Sequence, residues 1–344
     1  MDRRIPIACC IVLSIFSIMW IRHSSIFEIK NNGCCPPTIY SSRNSSVSQL
    51  GFNFDPIEKI RADCGQLCNT SRTGTPGKYF DQIKASINCK ALFQNEYIDK
   101  GHELPHAPKE IPPELLKDFT MNNRLSVRPW YFDQRYFGTN SMLPLWTKQN
   151  VDDWVSLARQ GSLKGNYGVG DTNDLRDGLK NAPKIKNGRV MVIGSENPWV
   201  EACVLEAGAR EVVTLEYGRI ISQHPQVKTL VPYDFRMSYL NNTLGSFDAI
   251  VTFSSLEHSG LGRYGDALNP WGDIITIARA WCVTKPGGSL TIGIPYVYSG
   301  NDYIAFNAAR YYGKIRYPYI ATNWQQVYRG ERGQHRVHVF SKEE

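Results

Sequence analysis

The chain has 344 residues, 42% hydrophobic and 21% charged, ordinary values for one or two globular domains, which exclude a wholly disordered or fibrous chain. Its formal charge of +7 is interspersed with acids and forms no Lys/Arg block, which argues against nucleic acid as a partner.

In chain order, the first element is Ile5 to Ile21, an uncharged and mostly apolar run with Arg3 and Arg4 before it and Arg22 after it. Such a run sits at the short end of the membrane-spanning range and is longer than most signal-peptide cores. The next positions, His23 to Phe27, offer no small-x-small cleavage site, so an uncleaved signal anchor is expected over a cleaved signal peptide. Arg3, Arg4 and the terminal amine then place residues 1–4 in the cytosol and the rest in the lumen, a single-pass type II arrangement. Three Asn-x-Ser/Thr sequons, at Asn44, Asn69 and Asn241, agree with a lumenal body.

Residues 22–50 read as a stalk, since Pro36 to Gln49 is rich in Ser, Pro and Asn and has no apolar period. Residues 51–117 form a Cys-bearing extension too small to hold a core alone, expected to fold onto the body at 118–344. Cys34, Cys35, Cys64, Cys68 and Cys89 crowd into this part of the chain, whereas beyond it there are only Cys203 and Cys282. In an oxidising compartment this reads as a disulfide-stapled segment with one thiol left over; a zinc site is the poorer alternative, because the spacings lack paired short-range ligands. From Pro112 to Leu179 the pattern turns helical in places, as in VDDWVSLARQG, where Val151, Trp154, Val155 and Leu157 are read as one face and Gly161 as a stop. Trp130, Tyr131, Phe132, Tyr136, Phe137 and Trp146 make this stretch aromatic; a helical lid packed on a sheet is expected, with a carbohydrate-stacking surface as the other reading.

The chemistry concentrates between Arg189 and Pro295. RVMVIG is a buried-strand run ending at Gly194, followed by a polar turn and a helix read from Val200 to Ala207. A nucleotide site needs glycine at such a strand end so that the backbone can bend and let the ligand approach. The turn Gly194-Ser195-Glu196-Asn197-Pro198 has fewer glycines than dinucleotide fingerprints, but Ser195 or Asn197 can cap the helix and Pro198 suits its first turn. A second strand, EVVTLEYG, ends in Glu216, about twenty residues beyond the glycine, where a carboxylate can accept from two ribose hydroxyls. Lys228 to Pro232 is read as a third strand followed by Asp234 and Phe235; FDAIVTF is a fourth, followed by Ser254, Ser255, Leu256, Glu257 and His258; a Lys285-Pro286-Gly287-Gly288 turn leads into a fifth. His258 is the candidate general base, because imidazole titrates near neutral pH, with Glu257 or Asp266 to orient it; the alternative is a histidine that only packs the loop. A Glu/His/Asp metal site is underdetermined, and none is assigned.

This order of elements resembles the class I S-adenosylmethionine-dependent methyltransferases. The run VIGSENPWVEACVLEAGA with TLEYG, FSSLEHSGLGRYGD and NPWGD is similar, more narrowly, to the nematode family called domain of unknown function 268, over about Asp118 to Phe340. The resemblance implies an α/β, Rossmann-like seven-stranded sheet, with HRVHVF as its last, antiparallel strand. It implies S-adenosylmethionine as cofactor, held by Gly194, Ser195, Glu216, Asp234, Phe235 and Ser254, with Asp234 meeting the adenine amino group, Phe235 packing on the ring and Leu256-Glu257-His258 facing the transferred methyl. An anchored lumenal enzyme with a stalk is the arrangement of Golgi glycan-modifying proteins, so the expected activity is O-methylation of a glycan sugar hydroxyl, such as that of fucose or galactose. The alternatives are an inactive methyltransferase-like binding protein and a metal-independent glycosyltransferase; the chain contains no Asp-x-Asp to hold a nucleotide-sugar metal. The oligomeric state is not legible.

Overall fold

The apolar run Arg189–Ile193 forms strand β1 in the computed structural model, with Val190, Met191 and Val192 fully buried. The structure describes residues 53–102, 104, 106–134, 143–298, 300–330 and 334–343. The expected tail, anchor and stalk, with Cys34, Cys35, Asn44, Tyr136 and Phe137, lie outside the described residues. Among the described residues no helix is long and apolar enough to cross a membrane.

After β1 come β2 (Glu211–Leu215), β3 (Val227–Leu230), β4 (Phe247–Phe253), β5 (Thr284–Pro295), β6 (Trp324–Arg329) and β7 (His335–Lys342). They form one seven-stranded sheet in the order β6-β7-β5-β4-β1-β2-β3. Strands β1 to β5 are parallel, whereas β7 runs antiparallel to both β5 and β6, as expected for HRVHVF. From β1 the chain order proceeds outward through β2 and β3 on one side and through β4 and β5 on the other. The switch point therefore lies between β1 and β4, where open α/β sheets bind ligands beyond the carboxyl ends of their strands. The Lys-Pro-Gly-Gly sequence does not precede β5 but bulges within it: Phe247 pairs with Thr284 and Ala249 with Ser289, so Lys285 to Gly288 are extruded, and Gly287 adopts φ +67°.

The helices are α1 (Asp55–Cys64), α2 (Cys89–Gln94), α3 (Pro113–Phe119), α4 (Lys148–Arg159), α5 (Val169–Asn181), α6 (Trp199–Glu206), α7 (Pro232–Leu240), α8 (Gly272–Val283) and the short α9 (Tyr317–Ile320). β3 stops short of the expected Pro232, which instead opens α7, because proline lacks a ladder donor and its fixed φ suits a first helical turn. On α4 the inward face is Val151, Trp154, Val155 and Ala158, whereas Leu157 is 40% exposed and falls off that stripe. Alternation along β1 sorts the two faces of the sheet. Val190 and Val192 join a core with Val151 of α4, Leu175 of α5 and Val200 of α6, while Met191 and Ile193 point to the other face and line a cavity there.

The extension is stapled within itself, as its Cys spacing suggested, by one bridge only; the other ties it to the body. Cys64 pairs with Cys68, but Cys89 at the start of α2 pairs with Cys282 near the end of α8, a sequence separation of 193, and Cys203 is a buried thiol. Disulfide bonding of Cys64, Cys68 and Cys89 also disposes of the zinc alternative for these three. Nor is the aromatic stretch simply a helical lid: Ser126–Trp130 is a strand paired in parallel with Tyr303–Asn307, leaving Trp130 half-exposed while Trp146 is buried.

Candidate active site

The turn after β1 is shaped by one glycine and two carboxylates. Gly194 has φ +75°, and a Cβ placed on it would lie 1.7 Å from Oγ of Ser255, so both the backbone conformation and the neighbouring turn demand glycine. The amide of Ser195 donates to Oε2 of Glu216 (2.7 Å), and the amide of Tyr217 donates to Oε1 (2.6 Å). Each Glu216 oxygen thus keeps a lone pair beyond the one its amide uses. Burial pushes the Glu216 carboxyl above its ordinary range, and the amides of Tyr217, Ser195 and Gly218 pull it back.

Neither Ser195 nor Asn197 caps α6 with its side chain. Ser195 Oγ instead lies 2.7 Å from the Asn197 carbonyl and 2.8 Å from Oε2 of Glu201, while Thr214 Oγ1 donates to Oε1 of Glu201 at 2.7 Å. A hydroxyl has one proton and a carbonyl can only accept, so Ser195 donates to Asn197. The remaining short contact is complete only when Glu201 carries a proton and donates it to Ser195. Burial in the same place pushes Glu201 up to about 7.

The neighbouring strand, β4, is followed by Ser254, a non-glycine residue at φ +47°, whose Oγ donates to Oε1 of Glu257 at 2.7 Å. Side chains rarely adopt this conformation, and such strain collects at functional sites. Glu257 is 1% exposed, and its Oε2 has no hydrogen-bond partner among the described residues. His258 Nδ1 lies 2.6 Å from the Ala308 carbonyl, which can only accept, so Nδ1 carries the proton and Nε2 is the basic atom. Nε2 lies 3.8 Å from Oε1 of Glu257. Burial lowers the His258 pKa from its ordinary value, partly opposed by Glu257, so the ring is neutral at physiological pH. Asp266 does not orient this ring. Its Oδ2 accepts from the Gly260 amide (2.6 Å) and its Oδ1 from the Tyr264 amide (3.2 Å), tying the loop after β4 to itself.

Two cavities meet at these turns, sharing Gly194, Glu216, Tyr217 and Ser255. The larger, about 530 Å³, is bordered by Ser195, Ser254 and His258, with Tyr167, Trp199 and Tyr264 as aromatic walls. The smaller, about 90 Å³, lies on the α7 and α8 side and is bordered by Phe235, Asp266 and, from the extension, Asp99. Asp234 borders neither: one step along α7 rotates a side chain by about 100°, so burying Phe235 turns its neighbour away. Tyr167, Tyr217, Ser255 and Asp99 were not singled out from sequence, and of these only Tyr217 and Ser255 had a signal, each adjoining a strand-end residue that was.

The residues present suit S-adenosylmethionine. A carboxylate with spare acceptor capacity stands beside a glycine turn at the switch point, and a second cavity with apolar walls opens from the same turn.

No curated protein matches the chain. Residues 186–343 match the family described as Caenorhabditis protein of unknown function, DUF268. The DUF268 segment takes in all seven sheet strands and the three turns described above, and it begins later than the Asp118 suggested by the motifs. Among solved structures, the chain is similar to a Burkholderia thailandensis 1,6-didemethyltoxoflavin-N1-methyltransferase with bound S-adenosylhomocysteine, at 17% identity and TM-score 0.35, over 62% of this chain and 100% of that one. It is also similar to an O-methyltransferase family protein from Burkholderia thailandensis, at 12% identity and TM-score 0.36, over 56% of this chain and 59% of that one.

Proposed function

We propose that the chain is an S-adenosylmethionine-dependent O-methyltransferase that acts on a sugar hydroxyl of a glycan, such as that of fucose or galactose, in the secretory pathway. The observation that carries the reading is the shared border of the larger cavity: His258, with Nε2 as its basic atom, and the Gly194–Glu216 turn face one space. S-adenosylmethionine, when bound, supplies a methyl group already activated on a sulfonium. Glu216 would hold the ribose hydroxyls, and the Gly194 turn would let the cofactor lie against the strand ends. His258 would take the acceptor hydroxyl's proton at Nε2, with Glu257 stabilising the imidazolium that results. The walls formed by Tyr167, Trp199 and Tyr264 suit the apolar faces of a sugar ring.

Two disulfides within the described residues favour an oxidising compartment, and the sequon residues Asn69 and Asn241 are both exposed. A type II anchor at residues 5–21 would then hold the body in the Golgi lumen. The test is incubation of the full chain, in detergent, with methyl-labelled cofactor and a panel of nematode glycans. Label is expected on a sugar oxygen; cofactor binding without transfer to any glycan would leave the inactive-descendant reading in its place.

A further inference from the structure

We propose that the N-terminal extension completes the nucleoside end of the cofactor site, with Asp99 as the acceptor that reads the exocyclic amino group of the base. The inference rests on the cofactor reading above. Asp99 borders the smaller cavity together with Glu216, Tyr217 and Phe235. Its side chain is 6% exposed, with Oδ1 at 2.5 Å from Arg279 Nη1 and Oδ2 at 3.0 Å from Arg236 Nε, and Oδ2 forms no hydrogen bond among the described residues. Two arginines therefore compensate the buried charge, while a carboxylate, with about four lone-pair sites, keeps acceptor capacity. Arg279 itself is occupied elsewhere, since Nε and Nη2 donate to the Leu92 carbonyl at 3.2 and 2.7 Å.

The extension is also fixed where this role needs it. Cys89–Cys282 ties α2 to α8, and Phe93 of α2 stacks on Tyr239 of α7 with ring centroids 3.6 Å apart, so the segment carrying Asp99 is held against both helices that wall the cavity. Asp234, the acid expected to make this contact, points elsewhere.

The experiment titrates the full chain calorimetrically with S-adenosylhomocysteine and with S-inosylhomocysteine, in which an oxo group replaces the amino group. Wild type is expected to prefer the adenosyl compound by about tenfold or more, the scale of one charge-assisted hydrogen bond. Asp99→Asn, whose amide can donate to the oxo group, should collapse or reverse that ratio, and Asp234→Asn should leave it unchanged. A ratio near one in wild type, a ratio unmoved by Asp99→Asn, or one collapsed by Asp234→Asn overturns the proposal while cofactor binding stands. Binding of neither compound overturns the cofactor reading and this inference with it. Photolabelling of unmutated protein with an 8-azidoadenosyl analogue guards against a misfolded variant: an adduct on the peptide around Tyr97–Asp99 is expected, and adducts confined to α7 and the turn after β4 overturn the proposal.

Discussion

The turns after β1 and β4 stand side by side at the switch point, yet they are built on opposite plans. In the first, Glu216 accepts from the amides of Ser195 and Tyr217, and Glu201, its carboxyl raised by burial to about 7, closes a chain through Ser195 to the Asn197 carbonyl. In the second, Ser254 is held at positive φ, Glu257 keeps one oxygen without a hydrogen-bond partner among the described residues, and His258 keeps a basic nitrogen. A group that only has to hold a ligand gains from being fixed in advance, whereas a group that must accept a proton needs an atom left over. Under the proposed function, the contrast gives holding to the first turn and proton transfer to the second.

The largest effect that could break this division comes from His258→Ala and Glu216→Ala measured in parallel. His258→Ala should lower kcat by about a thousandfold, within the range for loss of a general base, while leaving cofactor affinity nearly unchanged. Glu216→Ala should instead weaken cofactor binding about a hundredfold, as expected when a charge-assisted pair of hydrogen bonds is lost. In wild type, kcat should rise with pH through a midpoint below about 6.5, since burial lowers the His258 pKa and the neutral ring is the active form. Equal losses of binding in both variants would erase the distinction between the turns.

The next effect probes their contact. Gly194→Ala should destabilise the fold by about 4 kcal/mol, combining a left-handed backbone conformation with an overpacked contact at Ser255. Adding Ser255→Gly removes the clashing atoms but not the backbone penalty, so it should restore about half of that loss in urea unfolding. No recovery would mean that the two turns are not sterically coupled.

The sheet was legible because its signals are local. Each parallel strand is an apolar run closed by a turn residue, and Gly194, Glu216 and Ser254 follow from position alone. What was not legible is non-local or belongs to the backbone. Nothing in the neighbourhood of Asp99 announces Arg279, and the Cys89–Cys282 pairing spans most of the body. Asp266 lies only eight positions from His258, but amides of its own loop claim its carboxylate. The group that does fix the His258 ring is the carbonyl of Ala308, which leaves no mark in a side-chain pattern. Asp234 and Phe235 show the opposite hazard: the strand was found, with its end read two residues late, and a single step on the helix that follows separates the residue that enters the cavity from the one that does not.

The smallest effect sharpens the claim that the first turn is internally satisfied. Glu201 is fully buried and its carboxyl is raised from 4.5 to about 7, so between these values the folded chain binds more protons than the unfolded one. Its contribution to stability is fully present below pH 4.5 and is lost as pH rises through about 7. At 1.36 kcal/mol per unit this amounts to about 3 kcal/mol across the window. His258 and His338 act in the reverse sense, since burial lowers both, and stability from them is lost as pH falls below about 6.5. Comparison with Glu201→Gln isolates the one group: its amide nitrogen can donate to Ser195 and its oxygen can accept from Thr214, reproducing the protonated acid at every pH. Urea unfolding at pH 5, 6, 7 and 8 should therefore find the variant close to wild type at pH 5 and increasingly more stable above it. Parallel stability curves for the two proteins would mean that Glu201 is ionised in the native turn, with the Ser195 proton directed at Glu201 and the Asn197 carbonyl left to find another donor.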